Sequence, residues 1–400
     1  MISLHTKNLK TYTPKYNKKE LNKLLENFAK RNQDFYGLVD DESTVKKILS
    51  TAKKLSEKFP QIVVLGIGGS ALPAKLINEA LAKNPDKLSV LDSIDITTVQ
   101  ALEKKIELKK TLFIVISKSG TTTETMANYF YFRDKLKRAK LTPKEHFIFI
   151  TNPDKGYLRE NAEKEAIETF DIPKNTSGRF SALTPVGLLP AALVGIDIKK
   201  ILHGAALERQ LFTSSTPIKN RAYQFAKIQH SSYKKGRNIN VIMSYTDRLT
   251  YIEEWYRQLL AESIGKNAKT GITPAIATGP KDQHSQLQLY SDGPKDKLII
   301  FLEDNSPKKE TKIPNPLIKN LSYEKLLEIE LESTKKALTK KNRPNISIKI
   351  DGISEESLGE LLMLFMGQIA LLGEMFKINA YNQPGVEAAK KLTKEALLKI

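Results

Sequence analysis

Residues 113–130 read FIVISKSGTTTETMANYF, an apolar run followed at once by Ser117, Lys118, Ser119, Gly120, Thr121, Thr122 and Thr123. Phe113–Ile116 has the β-branched character of a buried parallel strand, and helical spacing starts near Thr123, with Met126, Tyr129 and Phe130 on one side. The polar cluster therefore sits where a strand ends and a helix begins. Unpaired amides and the positive end of the helix dipole attract anions at such a place. Added hydroxyl donors and the Lys118 ammonium suit a phosphate monoester. The same residues would also serve as an N-cap with hydroxyls to spare.

Other segments carry residues able to do chemistry. The turn GIGGS at 66–70 includes Gly69 and Ser70, and its glycines let a backbone approach a ligand closely. It lacks the third glycine of a dinucleotide fingerprint, and a plain strand-to-helix turn would use the same residues. Arg179 follows a glycine in SGRFSALTPVG (177–187), and Gln258 and Glu262 lie four apart, on one helical face. His284, one of five histidines, stands at a loop-to-helix junction, and Pro384 and Gly385 open a helix presenting Glu387 and Lys390. Taken singly, these could be an ion pair, an exposed carboxylate, a cap and one lysine among many.

The elements that position them alternate twice over. After a helix at 44–59, strands are expected within 61–69, 87–95, 110–117 and 146–152, separated by amphipathic helices. A second series follows within 238–245, 273–279, 296–304 and 345–351. This is the βαβ pattern of parallel sheets covered by helices. In an open parallel sheet, GIGGS and the hydroxyl cluster would share the carboxyl edge, where ligands bind. The expected organisation is an N-terminal arm (1–43), a first domain (44–208), a second domain (209–378) and a C-terminal helix (379–400). The arm has few core-type residues and the run LLMLFMGQIALLGEMF (361–376) is long and apolar, so both could lie against a partner chain, although a place in the core explains most of the apolar helix.

Composition sets the class. Forty per cent hydrophobic and 27% charged residues describe an ordinary globular chain. The absence of cysteine excludes disulfides and thiol chemistry, and no N-terminal segment has a signal-peptide layout, so a cytoplasmic location is expected. The apolar stretch 182–196 holds two prolines and two glycines and reads as buried, with no membrane contact expected. The net charge of +19 comes from 53 lysines and only 11 arginines, scattered along the chain without a nucleic-acid motif. No nucleic-acid partner is expected, although a positive field would draw in a phosphorylated substrate. The histidines lack the spacing of a metal cluster.

Read together, GIGGS, SKSGTTTET, GRFSALTPVGLLPAAL, WYRQLLAES.GK, DQHSQLQL and NQPGVE..K occur in an order that resembles the glucose-6-phosphate isomerase family, in particular its shorter bacterial type. The resemblance spans roughly residues 60–391. It implies two sugar-isomerase (SIS) domains, each a parallel-sheet α/β/α sandwich, and reversible aldose–ketose isomerisation of glucose 6-phosphate and fructose 6-phosphate without metal or cofactor. By position it implies that Ser117, Lys118, Ser119, Gly120, Thr121 and Thr122 hold the sugar phosphate beside Gly69 and Ser70. Glu262 would be the base, Gln258 a substrate contact, and Arg179 the stabiliser of the enediolate. His284 and Lys390 would open the sugar ring, with His284 reaching the site from the other subunit of a homodimer. An enzyme moving a proton α to a carbonyl needs this set: a base in reach and a positive group where the oxyanion develops.

The sequence also departs from the family pattern. Thr176-Ser177 precede Gly178 where an aliphatic residue and a second glycine are usual, and Ser119-Gly120 replace a common Thr-Phe. Two other readings share the resemblance: an isomerase that also takes mannose 6-phosphate, and a non-catalytic sugar-phosphate sensor. Retention of Glu262, Arg179, His284 and Lys390 together argues against the sensor.

Overall fold

The protein is described by a computed structural model covering residues 1–306 and 310–399. Its strands, among the described residues, are β1 (Ile2–His5), β2 (Gln61–Leu65), β3 (Leu88–Leu91), β4 (Thr111–Ser117), β5 (Phe147–Thr151), β6 (Glu168–Asp171), β7 (Ile239–Ser244), β8 (Thr273–Thr278), β9 (Lys297–Asp304) and β10 (Asn345–Ile350). They form two five-stranded sheets, ordered β3-β2-β4-β5-β6 and β1-β10-β9-β7-β8. Every pairing is parallel except β1 with β10. The continuous apolar runs of β4 and β5 are buried at every position, as strands covered on both faces must be.

Side-chain alternation builds three layers of core. Val63, Leu65, Phe113, Val115 and Phe149 face a helical layer carrying Tyr129 and Phe132. Val241, Met243, Ile299 and Phe301 face Leu331 and Leu338. The opposite faces, including Ile62, Ile114, Ile242, Ile300 and Ile348, belong to one large shared cluster. At its centre the helices Ile198–Phe212 and Glu355–Phe376 lie against each other. A Cβ at Gly204 would strike the Glu356 carbonyl, and one at Gly359 the Ile201 carbonyl, so glycine sets this backbone-on-backbone approach. The 355–376 helix is long and apolar enough to cross a membrane, but 94% of its 18-residue apolar window is buried inside the protein. Its start is fixed by a capping box between Ser354 and Ser357.

The 361–376 run lies in the core, as its apolar pattern suggested, and Ser357–Glu374 are buried at every position. The N-terminal residues, expected to lie against a partner, are packed inside instead: Ile2, Leu9, Leu21, Leu24, Phe28 and Phe35 join the large cluster. Arg31 adds a two-pronged ion pair to Glu374, at 2.7 and 3.2 Å. The helix Glu387–Leu397, by contrast, is exposed along its length.

Candidate active site

Each site residue is delivered by the end of an element. β2 runs into Gly66–Ser70, where Gly68 adopts φ +52°, open to glycine at little cost. A Cβ on Gly69 would meet the Gly178 carbonyl oxygen at 2.6 Å, so the glycine turn and the Arg179 loop are in direct contact. The Ser181 hydroxyl donates to the Gly178 carbonyl at 2.6 Å and lies 3.3 Å from the Gly69 carbonyl, bracing both. β4 ends in Ser117, buried, whose hydroxyl is 2.8 Å from that of Thr122. Ser119 is 3.4 Å from both hydroxyls, and it accepts from the Thr121 amide at 3.2 Å. Gly120 turns the loop at φ +68°, and the helix Thr123–Arg138 follows.

Glu262 and Gln258 project from the helix Thr250–Ile264, with Gln258 Nε2 donating to Glu262 Oε1 at 3.1 Å. Arg179, 1% exposed, donates Nη1 to Glu262 Oε2 at 3.2 Å. Its other N–H groups go to Ser263 Oγ (2.7 Å), Gln383 Oε1 (2.8 Å) and the carbonyls of Ala380 (2.6 Å) and Asn382 (3.1 Å). All five donors of the fork are satisfied, as a buried guanidinium requires. Burial lowers its pKa from the usual value, against the pull of Glu262. Trp255 Nε1 donates to the Arg179 carbonyl at 3.0 Å, fixing the loop from below.

Lys266, one turn beyond Glu262, donates to the Glu262 carbonyl at 2.6 Å and to the Asn382 carbonyl. Burial, with Arg179 nearby, lowers its pKa to about 8. The C-terminal segment is thus fastened to the helix carrying Glu262 by two cations. Lys390, on the exposed final helix, lies 3.0 Å from Glu387.

These groups line a cavity of about 590 Å³, within the range of small-molecule sites. Of the residues expected from sequence, Gly69, Ser70, Lys118, Ser119, Thr122, Arg179, Gln258, Glu262 and Lys390 line it. Ser117 lies beneath, bonded to Thr122, while Gly120 and Thr121 are behind the rim. His284 does not line it: it is exposed at the end of the turn Lys281–His284. The cavity also gathers Asn152, Lys155, Tyr381 and Gln383, which the sequence reading did not single out. Gln383 stood inside a quoted motif, but nothing in the sequence near Asn152 and Lys155 marked them.

Comparison with known proteins shows the family. The family model of phosphoglucose isomerase matches residues 43–298 and 319–399. A glucose-6-phosphate isomerase of Carboxydothermus hydrogenoformans is 40% identical over 381 residues, covering 88% of this chain and 82% of that protein. Among solved structures, a hypothetical protein from Thermus thermophilus superposes with TM-score 0.92 at 30% identity, covering 99% of this chain and all of that one. A glucose-6-phosphate isomerase from Chlamydia trachomatis shares the fold, with TM-score 0.80 at 22% identity over 89% of this chain and 73% of that one. With a family model matched from the first sheet to the final helix, and a relative this similar along most of its length, the chain belongs to the phosphoglucose isomerase family and is an isomerase.

Proposed function

We propose that the chain interconverts glucose 6-phosphate and fructose 6-phosphate through the open-chain sugar and an enediolate. The observation that carries this reading is the Glu262 carboxylate, 3.2 Å from a fully bonded Arg179 guanidinium, sharing one cavity with the Ser119 and Thr122 hydroxyls. Glu262 takes the C2 proton of the open aldose as the carbonyl electrons shift to O1. The O2 hydroxyl proton passes to O1, and Glu262 then returns its own proton to C1 as the carbonyl re-forms at C2. No net oxidation occurs, so the residues alone balance the reaction. Arg179, held in place by its five bonds, stabilises the negative oxygen through its fixed positive charge. Gln258 orients Glu262, and the hydroxyl loop with Gly69 and Ser70 holds the phosphate.

Ring opening takes an acid and a base at the ring oxygen and anomeric hydroxyl, roles we give to Lys390 and His284. His284 is exposed in this chain and outside the cavity, which favours its delivery by a second subunit of a homodimer. The reaction belongs to glycolysis and gluconeogenesis in the cytoplasm, and the two sheets are read as two SIS domains.

Turnover of glucose 6-phosphate by the purified chain, coupled to detection of fructose 6-phosphate, tests the reading; no turnover of either sugar overturns it. The shared site is tested by exchanging subunits between inactive Glu262→Gln and inactive His284→Ala proteins. Activity returns if each mixed dimer rebuilds one complete site. A dead mixture, or a fully active monomer, overturns the dimeric site.

A further inference from the structure

Four cationic side chains line the cavity, and three are already engaged. Arg179 has its five acceptors, and Lys390 sits 3.0 Å from Glu387. Lys118, expected from sequence to face the phosphate, instead donates to the carbonyls of Lys174 and Thr176, 2.8 Å each. Lys155 is exposed and has no hydrogen bond or ion pair among the described residues. Its neighbour Asp154 is already paired, 2.7 Å from Lys174.

The backbone fixes where Lys155 stands. Gly156, at φ +103°, is packed so tightly on the phosphate loop that a Cβ would strike the Ser119 carbonyl and lie 3.3 Å from the Gly120 Cα. The Leu158 amide donates to the Gly120 carbonyl at 3.3 Å. Lys155 therefore rises one residue away from the loop of hydroxyls. Those hydroxyls are neutral. They can satisfy the hydrogen bonds of a phosphate monoester, yet leave its charge of about −2 unbalanced.

We propose that Lys155 supplies the counter-charge for the substrate phosphate, while Lys118 braces the loop against residues 174–176. This rests on the isomerase reading above, and it assigns the recognition of a dianion to a residue outside the motif loop. An ammonium reaching a phosphate oxygen makes a charge-assisted bond, whose loss reads as about 10-fold or more in affinity.

The experiment compares wild type, Lys155→Ala, Lys155→Arg and Lys118→Met. Turnover of fructose 6-phosphate gives KM and kcat, and calorimetry gives the Kd of inorganic phosphate. Lys155→Ala is expected to raise both KM and the phosphate Kd about 10-fold, with a smaller loss of kcat. Lys155→Arg should recover most of the affinity. The rise in wild-type KM between about 20 and about 200 mM salt should be blunted in Lys155→Ala. Lys118→Met should lower the melting temperature. Unchanged KM and phosphate Kd in Lys155→Ala would overturn the proposal, as would a stable Lys118→Met protein that alone loses phosphate affinity. Calorimetry keeps the two readings apart: a wild type that binds phosphate through Lys155 but turns over neither sugar sinks the isomerase reading only.

Discussion

The two parallel sheets have similar strand orders but opposite chemistry at their carboxyl edges. At the first edge, β2 and β4 run into glycines and hydroxyls that bond to one another and face a cavity. At the second, the ends of β7, β8 and β9 each meet a carboxyl group of the protein itself. The Ser244 amide at the end of β7 donates to Glu253 at 2.6 Å, and the Thr278 amide at the end of β8 donates to Asp282 at 2.7 Å. Asp304, ending β9, accepts from the amide and hydroxyl of Ser306. A Cβ on Gly279 would run into the Tyr245 ring, so the space is filled as well. An edge of this kind attracts anions by default. Supplying carboxyl acceptors internally closes it; withholding them leaves it open to a ligand. The second half then serves the first edge by sending over the 250–264 helix with Gln258 and Glu262.

This contrast can be broken most severely at the base. Glu262→Gln is expected to keep the fold and substrate binding while kcat falls at least ~100-fold, as removal of a general base does. A variant retaining more than a few per cent of wild-type turnover would make the second half's contribution something other than the base. Stopped assays with single-turnover controls would settle which step is lost.

A smaller effect separates the two edges directly. Ala at both Ser117 and Thr122 should raise KM for the sugar phosphate by roughly 10-fold and lower kcat less, because contacts remote from the reacting carbons mainly supply binding. Asp304→Ala, at the matching strand end of the other sheet, should leave KM within about 2-fold. Equal effects on KM at both positions would mean that the carboxylate edge also binds substrate.

The smallest effect concerns Glu253, fully buried, with Oε1 on the Ser244 amide and no partner for Oε2 among the described residues. Burial pushes its carboxyl up from 4.5 to about 8, against the Ser244 bond. The folded state therefore holds a proton that the unfolded chain releases. Its contribution to stability is complete below about pH 4.5 and is lost as pH rises through about 8. Glu253→Gln should remove that slope. Urea midpoints at about pH 5, 7 and 9 would test it, and an unchanged pH profile would show that Glu253 is ionised at the closed edge.

Much of the first edge was legible because its signals are local. The β4 run, the hydroxyl loop and the helix start are contiguous, and Gln258 with Glu262 follows from one turn of helix. What stayed hidden was set by distant contacts. The five acceptors of Arg179 come from residues 262–263 and 380–383, and no short window holds both. β6 was missed because ETFD has no apolar run, only Phe170 facing the core. The carbonyl partners of Lys118 were equally hidden, because they lie 56 and 58 residues away. The N-terminal residues looked polar because their apolar side chains are few, yet Ile2, Leu9, Leu21, Leu24, Phe28 and Phe35 are buried and Leu4, Leu25, Leu38 and Val39 pack against the same cluster.

The pairing of β1 with β10 also sets an order of events during synthesis. Ile2 pairs with Ile350, and the Ile2 amide donates to Glu360 at 3.0 Å. A ribosome adding about 5–20 residues per second would leave the first strand without its partner for roughly 20–70 s. In that interval its unpaired edge is a template for other chains, and its four-residue length limits the hazard. The Arg179 fork waits longer still, for acceptors at residues 380–383, made only after the last strand of the second sheet. A chain halted before residue 380 would hold a guanidinium lacking three of its five acceptors. The fork thus closes only after both sheets have been synthesised.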